Sequence, residues 1–213
     1  MTAILICGGT LSAAFLKEVC NQYSGAKVFA VDGGLRVADE AGVMPDYLVG
    51  DFDTAEASMV ARYEGRCVTL RHKPEKDATD TELAIDEALD RGAETLLLLG
   101  ATGTRMDHTL ANVHMLYRIL QQGKQAWLLD EHNRISLHGK PFACKRSEMF
   151  GNYVSFLPFF GETTEVTLKG FKYPLYGKTL TAGISLGVSN EAKEDTMEVS
   201  FERGYLLMIE ARD

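Results

Sequence analysis

Short apolar runs alternate with helix-like patterns through the first 130 residues, and this alternation restricts the chain to few folds. The strand candidates are residues 3–7, 27–31, 47–49, 67–70, 95–99 and 125–129. The run at 95–99 is almost wholly apolar, as is typical of a strand buried on both faces of a parallel sheet. Strands that alternate with helices predict an open α/β sheet of the Rossmann-like type.

The segments between these strands carry helix end signals. Ser12 is placed to cap a first helix. Thr79 and Glu82 have the spacing of a capping box, and Gly92 stands where a helix beginning there would end. One face of a later helix is predicted by the spacing of Leu110, Val113, Leu116, Tyr117 and Leu120.

Beyond Asp130 the helical periodicity disappears, and short β-rich runs take its place. These runs are residues 134–137, 153–157, 165–168, 197–201 and 205–209. Turn-like residues separate them, for example at 158–161 and 203–204. The change in pattern predicts a second domain made of antiparallel strands, with residues 1–130 as the α/β domain and 131–213 as the β-domain.

Composition excludes several function classes. The 213-residue chain carries a formal net charge of -8, which disfavours broad attraction to nucleic acid or an anionic membrane. Its four cysteines form no C-x-x-C pair, and no apolar run approaches the roughly 20 residues of a membrane span. The first residues lack the positive segment of a signal peptide. We therefore expect a cytoplasmic enzyme or binding protein.

Acidic residues and glycines follow nearly every predicted strand of the first half. In chain order they are Asp32, Gly33 and Gly34, then Asp51 and Asp53, then Asp77 and Asp80, then Gly100, Gly103 and Asp107. Because ligands of open α/β sheets bind beyond the carboxyl ends of the strands, these residues are expected to converge. Clustered carboxylates need a cation, and ligands that are all oxygen suit Mg²⁺. Mg²⁺ bridges phosphate oxygens, so the pattern predicts a phosphoryl-transfer site.

Glycines and two cations complete this predicted site. Glycine lets backbone N–H groups approach phosphates closely. Lys76 and Arg105 are the local positive charges that can meet a polyanion in an acidic chain. Gly8 and Gly9 follow the first strand, but they complete neither G-x-G-x-x-G nor a P-loop. An ordinary dinucleotide or P-loop site is therefore not expected.

Several of these residues also fit plain structural roles. Asp32 before two glycines is ordinary turn chemistry, and Asp80 suits the first turn of a helix. Asp107 fits a helix cap, and His108 alone is more often structural than functional. Asp51 and Asp53 are harder to explain in this way, because both point the same way from extended backbone.

Taken together, the blocks at residues 32–34, 50–54, 76–82 and 100–112 resemble, in order and spacing, those of the bacterial thiamine pyrophosphokinase family. The tail is similar to the same family at 170–175 and 183–191. Two small departures are Thr54, where the family commonly has Ser, and Ala101, where a second Gly is usual. The resemblance spans nearly the whole chain.

The resemblance implies an ATP-binding α/β domain, a C-terminal β-sandwich and a homodimer with active sites at the subunit interface. By it, Asp51, Asp53, Asp77 and Asp80 hold Mg²⁺ and the phosphates as the catalytic set. The expected ATP-binding residues are Gly8, Gly9, Asp32, Gly33, Gly34, Lys76, Gly100, Gly103, Arg105, Asp107, His108 and Asn112. The thiamine pocket is expected to contain Ser185, Ser189 and Asn190, contributed by the partner subunit.

The expected reaction is attack of the thiamine hydroxyl on the β-phosphorus of ATP, with AMP leaving. Asp80 or Asp77 is a candidate to accept the hydroxyl proton. Three alternatives stay open at this point. A pterin or another alcohol could be the acceptor, the chain could be a nucleotide or thiamine sensor, or it could be an oligomeric mononucleotide-binding module whose acidic edge is an ion-stabilised interface.

Overall fold

The computed structural model describes residues 1–51, 57–63, 65–71 and 78–213. The protein is a mixed α/β protein in which β-sheet is the dominant element. It divides into two compact units, Met1–Glu131 and His132–Asp213.

The described part of the first unit contains a parallel sheet. Its strands are β1 Thr2–Ile6, β2 Lys27–Val31, β3 Tyr47–Gly50, β4 Val68–Arg71, β5 Thr95–Leu99 and β6 Gln125–Leu129. Their spatial order is β4-β3-β2-β1-β5-β6, and each neighbouring pair is parallel. The chain thus builds outward from β1 on one side and then crosses to β5 on the other. That reversal places the carboxyl ends of β1 and β5 side by side, where a crevice can form.

Helices cover this sheet. They are α1 Ala13–Gln22, α2 Gly34–Ala41, α3 Ala57–Tyr63, α4 Asp80–Asp90 and α5 Met106–Gln121. β1 and β5 are buried along nearly their whole length, which shows that both faces of the sheet are covered there. None of the helices in the described part of the chain is long and apolar enough to span a membrane.

The predicted helix ends are confirmed. The Ser12 hydroxyl accepts a hydrogen bond from the Phe15 N–H at 3.2 Å and caps α1. The Thr79 hydroxyl does the same for α4 with the Glu82 N–H at 3.2 Å. Gly92 follows α4 with a φ of 82°, the left-handed conformation expected after a helix.

The predicted apolar face of α5 is only partly right. Val113, Leu116 and Ile119 are the buried side chains, whereas Leu110 is 56% exposed. Met106 at the start of the helix is also exposed. Sequence periodicity identifies a face, but it does not show at which turn of the helix burial begins.

The second unit is built from antiparallel strands. They are β7 Asn133–His138, β8 Phe142–Lys145, β9 Tyr153–Lys169, β10 Leu175–Thr181, β11 Thr196–Ser200 and β12 Arg203–Ala211, with a short 3₁₀ helix at Arg146–Glu148. The first half of β9 pairs with β12, and its second half pairs with β10 and β11. Phe156, Leu168 and Met208 belong to the buried core, so both halves of β9 contribute to one apolar cluster.

The predicted turn at 158–161 is wrong. The two strands expected at 153–157 and 165–168 are a single long strand that continues through this segment. Phe160 and Gly161 have φ values of 60° and 107°, which bend the strand without ending it. A Pro-Phe-Phe-Gly sequence therefore marks a bend within β9, where it had indicated a chain reversal.

His138, at the end of β7, gives the second unit a pH dependence. Its ring stacks on Phe142 with centroids 3.8 Å apart, and its Nε2 lies 2.9 Å from the Ser136 hydroxyl. Burial lowers the pKa of His138 from 6.5 to about 4. Below pH 6.5 the unfolded chain therefore binds a proton that the folded chain does not, and the free energy of unfolding should fall as the pH drops toward 4.

Denaturant unfolding at several pH values measures this effect. His138→Gln should flatten the decline between pH 6.5 and 4, because it removes the group that titrates differently in the two states. The exposed His132, in the same unit, supplies the control variant His132→Gln, which should leave the decline in place. A decline that is identical in both variants would contradict the assignment to His138.

Candidate active site

A cleft of about 660 Å³ opens where β1, β2 and β5 end and α4 and α5 begin. The described residues that line it are Cys7, Gly8, Gly9, Thr10, Val31, Asp32, Thr79, Asp80, Thr81, Gly100, Ala101, Thr102, Gly103, Thr104, Arg105, His108, Thr109 and Asn112. Its position is the point at which the strand order reverses, as expected for ligand crevices of open α/β sheets. Its size lies within the range of small-molecule sites.

The loops after β1 and β5 are joined backbone to backbone along this cleft. The Gly9 N–H donates to the Gly100 carbonyl, and the Thr10 N–H donates to the Thr102 carbonyl, both at 2.8 Å. A Cβ atom on Gly9 would lie only 2.3 Å from the Thr102 carbonyl oxygen, so no larger residue fits there. The glycines at the cleft thus permit the two loops to approach each other closely.

Gly33 and Gly34 have a different place from Gly8, Gly9, Gly100 and Gly103. They are not among the described residues that line the cleft. Gly34 begins α2, and a Cβ atom there would lie 1.9 Å from the Ile6 carbonyl oxygen. The absence of a side chain at Gly34 therefore lets α2 pack directly on β1.

Two of the predicted carboxylates line the cleft. Asp32 follows β2 with a φ of 44°, a left-handed conformation that Asp tolerates better than most residues, and its Oδ1 is buried. Asp80 lies in the first turn of α4 and faces the same cleft. Asp51 directly follows β3 and is half-buried, and it is not among the described lining residues. Asp53, Lys76 and Asp77 lie outside the described residues.

Within residues 1–51, 57–63, 65–71 and 78–213, no group of three or more His, Cys, Asp or Glu side chains is placed to hold a metal ion. The described acidic donors at this end of the sheet, Asp32, Asp51 and Asp80, offer carboxylate oxygens. Oxygen donors of this kind suit Mg²⁺ and do not suit softer metals. The chemistry of the donors therefore fits magnesium.

Arg105 and Asp107 form an exposed ion pair at the start of α5. The Arg105 Nη2 lies 2.6 Å from Asp107 Oδ2, and the His108 N–H donates to Asp107 Oδ1 at 3.0 Å. The hydrogen bond from Arg105 and then the one from the His108 backbone lower the pKa of Asp107 to about 2. Arg105 and His108 line the cleft, and Asp107 stands beside them in the first turn of the helix. Arg105 occupies the N-cap position of α5, so Asp107, two residues later, is not the helix cap.

Replacement of Arg105 by Gln should raise the pKa of Asp107 from about 2 toward its ordinary value of 3.8. The reason is that the guanidinium stabilises the ionised carboxylate through charge and hydrogen bonding. A carboxyl-carbon NMR titration of Asp107 in both proteins measures the change. A pKa that stays near 2 in Arg105→Gln would show that the helix terminus and the His108 N–H are sufficient.

Asn112 and a set of threonines complete the lining. The Asn112 side-chain N–H donates to the Ala101 carbonyl at 2.7 Å and so holds the loop after β5. The sequence-based site did not include six threonines that line the cleft, namely Thr10, Thr79, Thr81, Thr102, Thr104 and Thr109. Their clustering in the loops after β1 and β5 and at the helix starts was the available signal. Threonine hydroxyls are suitable hydrogen-bond donors for phosphate oxygens.

Comparison with known proteins identifies the family. The model of the thiamin pyrophosphokinase catalytic domain matches residues 21–128, and the model of the thiamin pyrophosphokinase vitamin B1 binding domain matches residues 142–206. Together they cover more than half of the chain. The chain belongs to the thiamine pyrophosphokinase family. This confirms the resemblance drawn from the sequence blocks.

Individual members of the thiamine pyrophosphokinase family are similar over most of their length. The thiamine pyrophosphokinase of Bacillus subtilis is 35% identical over 184 residues, which are 86% of this chain and 86% of that protein. Its crystal structure superposes with a TM-score of 0.88 at 30% identity, covering 100% of both chains. The thiamin pyrophosphokinase structure from Geobacillus thermodenitrificans gives a TM-score of 0.86 at 30% identity over 100% of this chain and 98% of that one. The chain is accordingly an enzyme of the kinase class.

The three residues predicted to bind thiamine lie in the part that matches the family's vitamin B1 binding domain. Ser185 and Ser189 are exposed between β10 and β11, and Ser189 has a φ of 55°. Asn190 is only 2% exposed. Its Oδ1 accepts from the Tyr173 N–H at 3.0 Å, and its Nδ2 donates to the Tyr173 carbonyl at 2.8 Å. The Asn190 side chain thus fixes neighbouring backbone, while the two serines present their surface to solvent.

Proposed function

We propose that this chain is a thiamine pyrophosphokinase, which transfers the pyrophosphoryl group of ATP to thiamine and releases AMP. The observation that carries the proposal is the pair of family domains in sequence order over one chain. The cleft at the carboxyl ends of β1 and β5 supports it, because ligands of open α/β sheets bind at this position and because four glycines, Arg105 and Asp80 line the cleft. The product places the chain in thiamine diphosphate biosynthesis.

ATP is assigned to the cleft of the first unit. Gly8, Gly9, Gly100 and Gly103 bring backbone close to the phosphates, and Arg105 supplies positive charge. Asp32, His108 and Asn112 line the same crevice. Gly33, Gly34 and Asp107 support the lining from behind or beside it, and Lys76 completes the predicted set.

Magnesium is assigned to Asp51, Asp53, Asp77 and Asp80, which are also the proposed catalytic set. Asp80 at the cleft and Asp51 at the end of β3 fit this assignment in position and in the hardness of their oxygen donors. When bound, Mg²⁺ neutralises the charge that develops on the transferring phosphoryl oxygens. The carboxylates of the chain would hold the metal ion at the phosphates. Their negative charge also attracts thiamine, which is a cation.

Catalysis by the chain's own residues is chiefly positioning. The oxygen of the thiamine hydroxyl forms a bond to the β-phosphorus, the bond from that phosphorus to the AMP oxygen breaks, and the hydroxyl proton goes to a carboxylate. Asp80 or Asp77 is the proposed acceptor of that proton. The hydroxyls of Thr10 and Thr104, which line the cleft, are assigned to hold the phosphates in line for the displacement. The Thr102 and Thr109 hydroxyls instead donate within the chain, to Asp130 and to the Arg105 carbonyl.

Thiamine is assigned to the second unit of the other copy in a homodimer. Ser185 and Ser189 are exposed and available to a ligand, and Asn190 acts by fixing the segment that carries them. Ile184, Leu186 and Val188 are exposed large apolar side chains in the same segment, which supports its burial against a second copy. The active sites would then lie at the subunit interface.

The proposed domain roles follow the two parts of the chain. Residues 1–130 are the Rossmann-like, ATP-binding catalytic domain, and 131–213 are the β-sandwich that binds thiamine and forms the dimer. The parallel order of β1 to β6 and the shared core of both halves of β9 support these descriptions. We place the enzyme in the cytoplasm, because its four cysteines are free thiols, which persist in a reducing compartment.

AMP release from ATP by the purified full-length protein tests the function. We expect AMP only when thiamine and Mg²⁺ are both present, with thiamine diphosphate formed in equal amount. AMP formed with a pterin or another alcohol, and not with thiamine, would show that thiamine is not the acceptor substrate. ADP in place of AMP would contradict pyrophosphoryl transfer. Binding of thiamine or ATP without turnover would favour a sensor.

A further inference from the structure

Two carboxylates directly after β6, those of Asp130 and Glu131, accept hydrogen bonds from the loops after β5 and β1. The Thr102 hydroxyl donates to Asp130 Oδ2 at 2.9 Å, and the Ser12 N–H donates to Glu131 Oε1 at 2.9 Å. Thr102 belongs to the loop after β5, and Ser12 ends the loop after β1. Neither carboxylate is among the described residues that line the cleft.

Thr102 connects both loops at once. Its side chain is held by Asp130, while its carbonyl accepts from the Thr10 N–H at 2.8 Å. Thr10 and Thr102 both line the cleft. A shift of Thr102 would therefore move the backbone of both loops that face the ligand.

We propose that Asp130 is a positioning residue for the nucleotide, acting through Thr102, with Glu131 as its counterpart at Ser12. The inference rests on the proposed function only in identifying the ligand as ATP. A hydroxyl that donates to a carboxylate makes a charge-assisted bond, which is stronger than a neutral one. Asp130 and Glu131, which directly follow β6, thus hold in position the loops after β1 and β5, and we call this pair of contacts the brace.

The proposal predicts that loss of this bond changes the KM for ATP and leaves kcat and the KM for thiamine nearly unchanged. Asp130→Ala and Thr102→Val each remove the Asp130–Thr102 bond, and each should raise the KM for ATP about tenfold, the fold-change expected for loss of one charge-assisted hydrogen bond. The KM for thiamine and kcat should stay within about twofold, because the bond acts on the ATP loops. The double variant should be no worse than either single variant, since both remove the same bond.

Two further variants separate positioning from general damage. Asp130→Asn keeps an oxygen that can accept from Thr102 but loses the negative charge, so its KM for ATP should lie between those of the wild type and Asp130→Ala. Glu94→Gln is the matched control, because Glu94 precedes β5 and pairs with Lys124 just before β6, at the opposite ends of the same two strands. It should leave both KM values unchanged. If Asp130→Ala does not fold, amide hydrogen exchange of ligand-free Thr102→Val decides the question, because that measurement does not depend on a direct contact between Thr102 and ATP.

Amide hydrogen exchange of the protein without ligand tests the brace independently of any activity. In Asp130→Ala the Gly9 and Thr10 amides, which donate to the loop after β5, should exchange about tenfold faster, while Glu94→Gln should leave them unchanged. Unchanged exchange in Asp130→Ala together with an unchanged KM for ATP would overturn the proposal. Additive effects in the double variant would also overturn it, because Asp130 would then not act through Thr102. A wild-type protein with no thiamine-dependent AMP would refute the function alone, since the exchange result would still stand.

Discussion

Asp80→Asn should lower the rate of AMP formation on the order of 10²- to 10³-fold, with the fold retained. Asp80 lines the cleft from the first turn of α4, and it is one of the carboxylates assigned to the metal and the phosphates. The substitution keeps size and shape but removes the negative charge. Loss of that charge weakens metal binding and removes one of the two candidate proton acceptors. Asp51→Asn, after β3, should act in the same direction.

The neighbouring Glu82 supplies the control for Asp80. It lies in the same helical turn, and it pairs with Arg118 of α5. Glu82→Gln should therefore keep near-wild-type turnover. Thermal unfolding distinguishes lost catalysis from lost structure, because removing one carboxylate from a helix N-terminus costs only about 0.3–1 kcal/mol. A folded Asp80→Asn protein with a rate close to wild type would refute the metal and catalytic assignment of Asp80.

Glu210→Gln should destabilise the second unit by about 3 kcal/mol, the lower end of the range for breaking a buried ion pair. Glu210 is 2% exposed, and its two oxygens accept from Arg134 Nε and Nη2, each at 2.5 Å. It also accepts from the Phe150 N–H at 3.1 Å. The substitution leaves Arg134 without its opposite charge. We take the lower value because the Arg134 side chain is 26% exposed and is partly solvated.

Denaturant unfolding followed by circular dichroism measures this loss. Glu148→Gln is the matched control, because it removes a carboxylate from the exposed Lys145–Glu148 pair in the same unit and should change stability by less than about 1 kcal/mol. Replacing both partners, as Arg134→Met with Glu210→Met, should recover much of the loss, since no buried charge is then left unpaired. Equal stability of Glu210→Gln and Glu148→Gln would contradict the account.

Local signals in the sequence were sufficient for most of the first unit. Strands β2, β5 and β6 have the predicted bounds, because continuous apolar runs and buried parallel strands coincide there. The caps at Ser12 and Thr79 were also predictable, since a cap needs only a hydroxyl and a free N–H three residues away. The convergence of Asp32 and Asp80 at the cleft followed from the rule that parallel strands end at one edge.

Features that depend on distant partners were not predictable in this way. β10 was missed because most of its residues are exposed, so it lacks an alternating pattern. The bend in β9 resembles a turn locally, and only its pairing with strands on either side shows that it is not one. The buried, backbone-holding position of Asn190 depends on Tyr173, and the brace at Asp130 depends on Thr102. Neither contact can be predicted from the residues that are adjacent in sequence.

Pyrophosphoryl transfer to thiamine is tested most directly by finding which product receives the γ-phosphorus of ATP. ATP radiolabelled at the γ-phosphorus is incubated with the full-length protein, thiamine and Mg²⁺, and the products are separated by chromatography. Pyrophosphoryl transfer moves the β- and γ-phosphoryl groups together, so the label should appear in thiamine diphosphate, in an amount equal to the AMP formed. Label in thiamine monophosphate accompanied by ADP, or label released as free phosphate, would contradict the assignment of this chain as a thiamine pyrophosphokinase.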